Sequence, residues 1–389
     1  MARTKLPKGG AAVLQELCRA GELTRRELQG LLDVSGPTIT RTVAHLDELG
    51  LISASVVGEG ALGRPAATIR LSDDGLGVIA ISLTATRSRV VLASIAGDVV
   101  EEIEVEATAD VPYEIAIERV NDAAVHLLGT AAGRFRAIAG AGVSFGGAAS
   151  FGEGRLTTPS GFPEWHGRPL AADIESALRL PTFIDNQPVG YIRAMRWYND
   201  VALDDRYLCF ADWGIAGCSS TGYPRPDRGV STGGFGHLGG TIEGDVPCWC
   251  GLYDCMNTRA SLRGLRTWGA KRGLVSEKDL ATEIVRALEA DESGCQALVA
   301  AAEELVGATI DACRVLGIHA YILAGALFDT STVARQAGQA VVDANRRIAT
   351  GSFLPDNLAQ AGPILSASAI AADGMAQSGR IETLRAPLI

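Results

Sequence analysis

The 389-residue sequence has no uncharged apolar run near the roughly 18 residues that span a bilayer; its blandest stretch, 138–152, is interrupted by Gly and Ser. No secretory leader is expected, because the apolar residues behind Arg3, Lys5 and Lys8 are cut at once by Gln15 and Glu16. Eight cysteines are too thinly spread in so long a chain for a disulfide framework. Nor is there a surplus of base. With 35 Lys and Arg against 45 Asp and Glu the formal charge is −10, so any contact with nucleic acid must be local. These absences give the expectation of a cytoplasmic protein. What is abundant is core material: 47% of residues are apolar and 21% charged, which predicts two or three domains.

Charge is segregated along the chain. Residues 1–72 hold nine Lys and Arg against seven Asp and Glu, a balance of +2, and the remainder carries −12. An acidic body repels a polyanion, so the N-terminal module is the place for phosphate contacts. Its pattern predicts three helices. Val13, Leu14 and Leu17 mark the first, which ends near Gly21. Thr24 and Glu27 have capping-box spacing and start a second, with Leu28, Leu31 and Leu32 inward. Ser35 is the expected N-cap of a third, with Pro37 in its first turn, Ile39, Val43, Leu46 and Leu49 inward, and Gly50 closing it. Its outward residues, Thr38, Thr40, Arg41, Ala44 and His45, are small or hydrogen-bonding and can enter a major groove. Two strand-like segments, 51–57 and 67–71, flank a Gly-rich tip ending in Gly63-Arg64-Pro65, which reads as a hairpin wing against the DNA backbone. The expected DNA contacts are therefore Ser35, Pro37, Thr38, Thr40, Arg41, His45 and Arg64. A small three-helix interaction domain with no DNA role is the bland alternative.

Residues 73–389 read as α/β. Buried strands are expected over 78–94 and 99–105, a helix over 113–129, and further strands at 137–143, 182–185, 206–213 and 320–324. Amphipathic helices are expected over 276–290, 294–316 and 330–350. His237, Cys248, Cys250 and Cys255 form H-x10-C-x-C-x4-C, enough to close a tetrahedral zinc shell with no position open for water. The zinc so predicted is structural. The other cysteines are scattered among apolar neighbours and read as small buried hydrophobes.

The stretch Thr158 to Leu170, then Asp185-Asn186-Gln187, then Gly236-His237 ahead of Cys248-Trp249-Cys250-Gly251, resembles the ROK family of bacterial repressors and sugar kinases, over essentially the whole chain. With the N-terminal module, the resemblance points to the repressor branch, related to N-acetylglucosamine and xylose repressors. It implies a winged helix-turn-helix (1–72) followed by a two-lobed, actin-like and ribonuclease H-like body (73–389). The lobes would divide near 185/186, the C-terminal helix packing back on the first. It further implies a homodimer or homotetramer on double-stranded operator DNA.

The resemblance also implies what has been lost. The kinases' D-x-G-G-T phosphate loop corresponds to Ser82-Leu83-Thr84-Ala85-Thr86, without the acid or the glycines. The catalytic Asp of E-N-D corresponds to Gln187, whose amide has no basicity for a general base. The glycine pair that receives adenine is reduced to Ala324-Gly325-Ala326. No kinase activity is expected. The sugar-holding positions correspond to Ser160, Asn186, Gln187, His237 and Asn257, with Gly234 at a further acidic position, so the carboxylates are gone. The expected effector is another polyol, a sugar derivative or a phosphorylated or acidic ligand, with a pocket retained only as scaffold as the alternative. A residual sugar kinase fused to a DNA module, and an effector-blind regulator controlled by a partner protein, are the alternatives.

Overall fold

The computed structural model describes residues 1–56, 67–84, 87–106, 111–150, 153–159, 163–199, 206–220, 234–276 and 279–384. The N-terminal part comprises β1 (Ala2–Lys5), α1 (Gly10–Ala20), β2 (Glu22–Thr24), α2 (Arg25–Leu32), α3 (Gly36–Glu48), β3 (Ile52–Val56) and β4 (Ala67–Leu71). There follow β5 (Leu76–Leu83), β6 (Arg87–Ser94), β7 (Val99–Glu106), α4 (Tyr113–Arg134), β8 (Ala137–Phe145), β9 (Gly147–Ser150), β10 (Arg155–Pro159), α5 (Leu170–Leu178), β11 (Thr182–Asn186) and α6 (Gln187–Tyr198). The rest comprises β12 (Arg206–Ala211), β13 (Ile215–Ser219), α7 (Met256–Ala260), α8 (Leu262–Ala270), α9 (Ala281–Glu289), α10 (Glu292–Leu316), β14 (Ala320–Ala324), α11 (Ala326–Thr330), α12 (Thr332–Ala344), β15 (Thr350–Phe353), α13 (Asp356–Ser378) and β16 (Arg380–Thr383). Among the described residues no helix is long and apolar enough to cross a membrane.

Two compact units result, Met1–Val201 with Pro363–Ile389, and Ala202–Gly362. The division falls at 201/202, not at the expected 185/186, because α6 packs with the first unit. In that unit a seven-stranded mixed sheet runs β1-β16-β8-β5-β6-β7, with β11 the seventh strand, off this path against β8. One edge of β8 is shared: β16 pairs antiparallel with its first two residues and β11 parallel with Ala141 to Phe145. β5 and β8 are buried along their whole length, which is why their sequences are nearly continuous apolar runs. A Cβ on Gly142 would lie 2.0 Å from the Ala367 carbonyl oxygen, so only glycine lets β8 approach α13 this closely. The expected burial of the 99–105 strand is corrected: β7 is the sheet edge, and of its residues only Val105 is buried. Glu101, Glu102 and Glu104 blunt that edge.

The N-terminal helices form a bundle closed by a three-stranded antiparallel sheet, β2-β4-β3. Val13, Leu14, Leu17, Leu28, Ile39, Val43 and Leu46 fill its core. Leu31, expected inside, is 58% exposed, since the apolar stripe of α2 turns on Leu28. The bundle is not a separate unit. β1 pairs with β16, the Leu6 amide donates to the Gly379 oxygen (2.8 Å), and Cys18 Sγ donates to the Ile95 oxygen (3.5 Å).

The second unit is built on the sheet β13-β12-β14-β15, parallel except for β13, with α10 and α12 packed together. Here α12 ends at Ala344 rather than at 350, because the chain enters the edge strand β15, and α9 starts at Ala281 rather than at 276.

Candidate metal centre and nucleic-acid interface

The metal-ligand candidates lie on one hydrogen-bonded loop of the second unit. His237 closes a 3-10 turn, Phe235–His237, and Cys255 is the N-cap residue of α7. Between them Thr241 and Tyr253 exchange both backbone hydrogen bonds at 2.9 Å, and the Cys248 amide donates to the Leu252 oxygen at 2.7 Å. Gly251, at φ 91°, reverses the chain after Cys250. Asp254, itself at φ 51°, accepts from the amides of Asp245 (3.1 Å) and Val246 (3.0 Å) and so pins the loop. The four ligand atoms all lie within 4.8 Å of one another, with His237 Nδ1 3.4 Å from Cys248 Sγ and Cys250 Sγ 3.7 Å from Cys255 Sγ. A tetrahedron with metal–sulfur bonds of about 2.3 Å has sulfur–sulfur edges of about 3.8 Å, so these separations fit a soft four-coordinate ion. Burial lowers the His237 pKa and favours the neutral ring, the form that ligates. The ring also meets the half-exposed Trp249 edge to face at 4.6 Å.

On the N-terminal bundle the box is formed in both directions: the Glu27 amide donates to Thr24 Oγ1 (3.3 Å) and the Thr24 amide to Glu27 Oε2 (2.7 Å). Ser35 stands at the N-cap of α3, but its hydroxyl pairs with Thr38 Oγ1 (2.8 Å) and makes no side-chain cap bond. Ser35, Pro37, Thr38, Thr40, Arg41, Ala44 and His45 are all exposed, while Ile39, Thr42, Val43 and Leu46 face inward. Thr40 Oγ1 donates back to the Gly36 oxygen (3.0 Å). Arg41 has no ion pair among the described residues. Arg64 and the tip between β3 and β4 lie outside the described residues.

The expected effector residues are divided between the units. Asn186 and Gln187 belong to the first, His237 and Asn257 to the second, and Ser160 lies outside the described residues. Both asparagines spend their side-chain oxygen on backbone: Asn186 Oδ1 accepts from the Val189 amide (3.1 Å), capping α6, and Asn257 Oδ1 accepts from the Ile215 amide (2.7 Å). The Gln187 carbonyl oxygen accepts from Ser366 Oγ (3.2 Å). Of the expected phosphate-loop remnant, Ser82 is buried and the Thr84 amide donates to Ser88 Oγ (3.2 Å). Ala85 and Thr86 lie outside the described residues.

Behind Asn186 lies a buried network that the sequence analysis missed. Arg193 donates through Nη2 to Asp185 Oδ2 and through Nη1 to Asp373 Oδ2, each at 2.6 Å, and Trp197 Nε1 donates to Asp373 Oδ1 at 2.6 Å. Burial pushes the Asp185 carboxyl up against the pull of Arg193. The available signal was an arginine on the apolar stripe of α6, four residues after Val189 and four before Trp197, together with a lone Asp373 in an apolar helical run.

A family model described as ROK family matches residues 78–373. A protein of Caldicellulosiruptor sp. with the provisional name xylose repressor is 22% identical over 256 residues, 65% of this chain and 63% of that one. The chain spans 47% and 63% of the length of the first curated relatives it matches. Among solved structures, a ROK family transcriptional regulator described as a homolog of the E. coli MLC protein is similar at TM-score 0.71 and 17% identity, over 95% of this chain and 98% of that one. A ROK family glucokinase from Streptomyces griseus, in complex with glucose and AMPPNP, is similar at TM-score 0.60 and 17% identity, over 77% of this chain and 99% of that one. At such identities the likeness is one of fold, a mixed α/β architecture common to regulators and sugar kinases.

Proposed function

Because the chain belongs to the ROK family, we propose that it is a transcriptional regulator of carbohydrate genes, a repressor by preference, acting in the cytoplasm as a dimer or tetramer. The N-terminal bundle is its winged helix-turn-helix and α3 its recognition helix. The observation that carries this reading is the N-cap and leading turns of α3: seven exposed residues, Ser35 to His45, that include a cation with no ion pair among the described residues, the exposed acids Asp47 and Glu48 standing only in the last turn. A twofold assembly would set two such helices in major grooves a whole number of turns apart.

The metal is taken as zinc. His237, Cys248, Cys250 and Cys255 would hold it, and it would supply a cross-link between the 3-10 turn and the start of α7. Four protein ligands leave no place for water, so the role is structural.

The effector is a sugar or sugar-derived molecule, held by Ser160, Asn186, Gln187, His237 and Asn257. Asn186 supports a route from that set to the DNA-binding end. It caps the first turn of α6, and at the other end of α6 the Arg196 oxygen accepts from Gln15 Nε2 of α1 (3.4 Å). Displacement of Asn186 would be carried along twelve helical residues to α1. The effector shifts DNA affinity only as far as its own affinities for the two forms differ.

Phosphoryl transfer is not part of the proposal, because Gln187 offers no base and the Ser82–Thr86 segment no acid. The fold shared with the glucokinase supports the alternative of a residual kinase, which sugar-dependent ATP turnover in a coupled assay would establish. An effector-blind regulator would bind its operator and show no thermal shift with any sugar. The primary test is operator binding by the full chain. Arg41→Ala and Arg64→Ala should each weaken it by about tenfold and lower the salt slope by about one, with zinc content unchanged. Unchanged affinity in both variants would sink the assignment.

A further inference from the structure

Between the leading turns of α4 and α5, within the first unit, lies a cavity of about 520 Å³, the size of a small-molecule site. Tyr113 is fixed in its wall. The phenol donates to Asp173 Oδ2 at 2.6 Å, the ring meets Trp165 edge to face at 5.0 Å, and Arg168 Cζ lies 4.8 Å from the ring centre. Burial, and after it Asp173, push the Tyr113 pKa up, so the phenol keeps its proton and the carboxylate stays an acceptor. Arg168 is already engaged, stacked on that ring and paired with Glu114 at 2.9 Å. It is the one cation of the lining, against four carboxylates, Glu114, Glu118, Asp122 and Asp173. The last three have no ion pair among the described residues. Asn121, also in the lining, has its Oδ1 buried with no hydrogen-bond partner among the described residues.

Two of these acids have a structural reason to be there. Glu114 and Asp173 stand in the first turns of α4 and α5, where the helix dipole favours a carboxylate whatever the cavity holds. Glu118 and Asp122 lie beyond that reach. With Glu114 they form an i, i+4, i+8 row, and like charges at this spacing work against a helix. A buried amide oxygen without a donor is a second cost at the same place. A cation carrying N–H groups relieves both.

A single metal ion does not suit this lining, because among the described residues only His237, Cys248, Cys250 and Cys255 converge closely enough to share one. Acceptors spread along a helix call for a ligand whose charges are spread as well. Residues i and i+4 have Cβ atoms about 6 Å apart, which is the separation of two ammonium groups on a short alkyl chain.

We propose that this cavity binds an aliphatic diamine, its ammonium groups paired with Glu118, Asp122 and Asp173 and one N–H given to Asn121 Oδ1. The ligand is opposite in charge to the acidic effectors considered above, and its site stands whether or not the chain regulates genes.

The test is titration calorimetry on the full chain at constant ionic strength, with putrescine, butylamine, butanediol and magnesium chloride as titrants. One putrescine per chain is expected, bound at least about tenfold more tightly than butylamine, with no heat from butanediol. Glu118→Gln and Asp122→Asn should each weaken putrescine by about fivefold or more. Asn121→Leu, which removes the stranded oxygen, should weaken it without lowering the melting temperature. Glu303→Gln, at an exposed acid of α10 in the other unit, should leave the affinity unchanged. No binding by the parent chain or equal affinity for putrescine and butylamine would overturn the proposal. So would the same loss in Glu303→Gln as in Glu118→Gln, which marks general attraction to an acidic surface, or one magnesium per chain abolished by Glu118→Gln and Asp122→Asn, which marks a metal site instead.

Discussion

Replacing Arg193 with methionine removes one cation from between two buried carboxylates and fills the space with apolar volume. Asp185 and Asp373, each at 2.6 Å from a separate Nη, then lose the cation that stands between their charges. Breaking a buried pair of this kind costs about 3–5 kcal/mol at neutral pH. For a unit of over two hundred residues, 1 kcal/mol corresponds to roughly 2–4 °C, so the melting temperature of the first unit should fall by roughly 6–20 °C. The pH dependence gives the sharper signature. Burial already pushes the Asp185 carboxyl above its ordinary value, and loss of Arg193 pushes it further. A carboxyl raised in the folded state binds more protons folded than unfolded, so stability falls as pH rises through its folded pKa. The deficit of the variant should therefore shrink on acidification from pH 7.5 to 5.5, by up to about 1.4 kcal/mol per pH unit for one proton. Melts of both proteins followed by circular dichroism at three pH values supply the comparison. A variant that melts within about 2 °C of the parent at pH 7.5, or whose deficit grows in acid, would refute the reasoning.

Cys255→Ser, at a fully buried ligand position, should lower zinc from one per chain towards none by elemental analysis and lower the melting temperature of the second unit. Thr24→Ala removes one arm of the capping box and should cost about 1 kcal/mol in a thermal melt; no loss would mean that α2 is held by its packing alone. Gly142→Ala should be far more damaging, above about 3 kcal/mol, because both atoms that collide belong to backbone. Recovery of that variant with parental stability would show that β8 and α13 can separate.

The elements most legible in the sequence were those encoded over short range. The Thr24 and Glu27 pair announced a helix start because both partners sit within one turn, and the four candidate metal ligands converge because nineteen residues hold them all. Leu31 was misjudged for a local reason: adjacent leucines on a short helix leave the direction of the stripe undetermined, and Leu28 alone took the core. Where partners are remote the sequence was silent. Arg193 meets Asp373 across 180 positions, and although each is a charge in an apolar run, nothing in either window names the other as its partner. Strand β15 was not foreseen, only its first residue falling in the helix expected over 330–350, since Thr350 to Phe353 is too short for a period to register and is defined by pairing with β14. The asparagines at the expected effector positions were identified by type, but their use as backbone anchors needed coordinates.

The pairing of β1 with β16 joins residues 375 to 381 positions apart, the Arg3 and Glu382 ion pair among them. Synthesis runs from one end, so the first strand must wait without its neighbour until the last one emerges. Closing so long a loop would be entropically slow for a naked chain, yet the intervening sheet has by then brought the two segments near. The clasp on the leading bundle therefore closes only after residues 380–383 have emerged, and ribosome-bound chains stalled before residue 380 should lack that tie while keeping the contacts of α1 with Ile95 and Arg196.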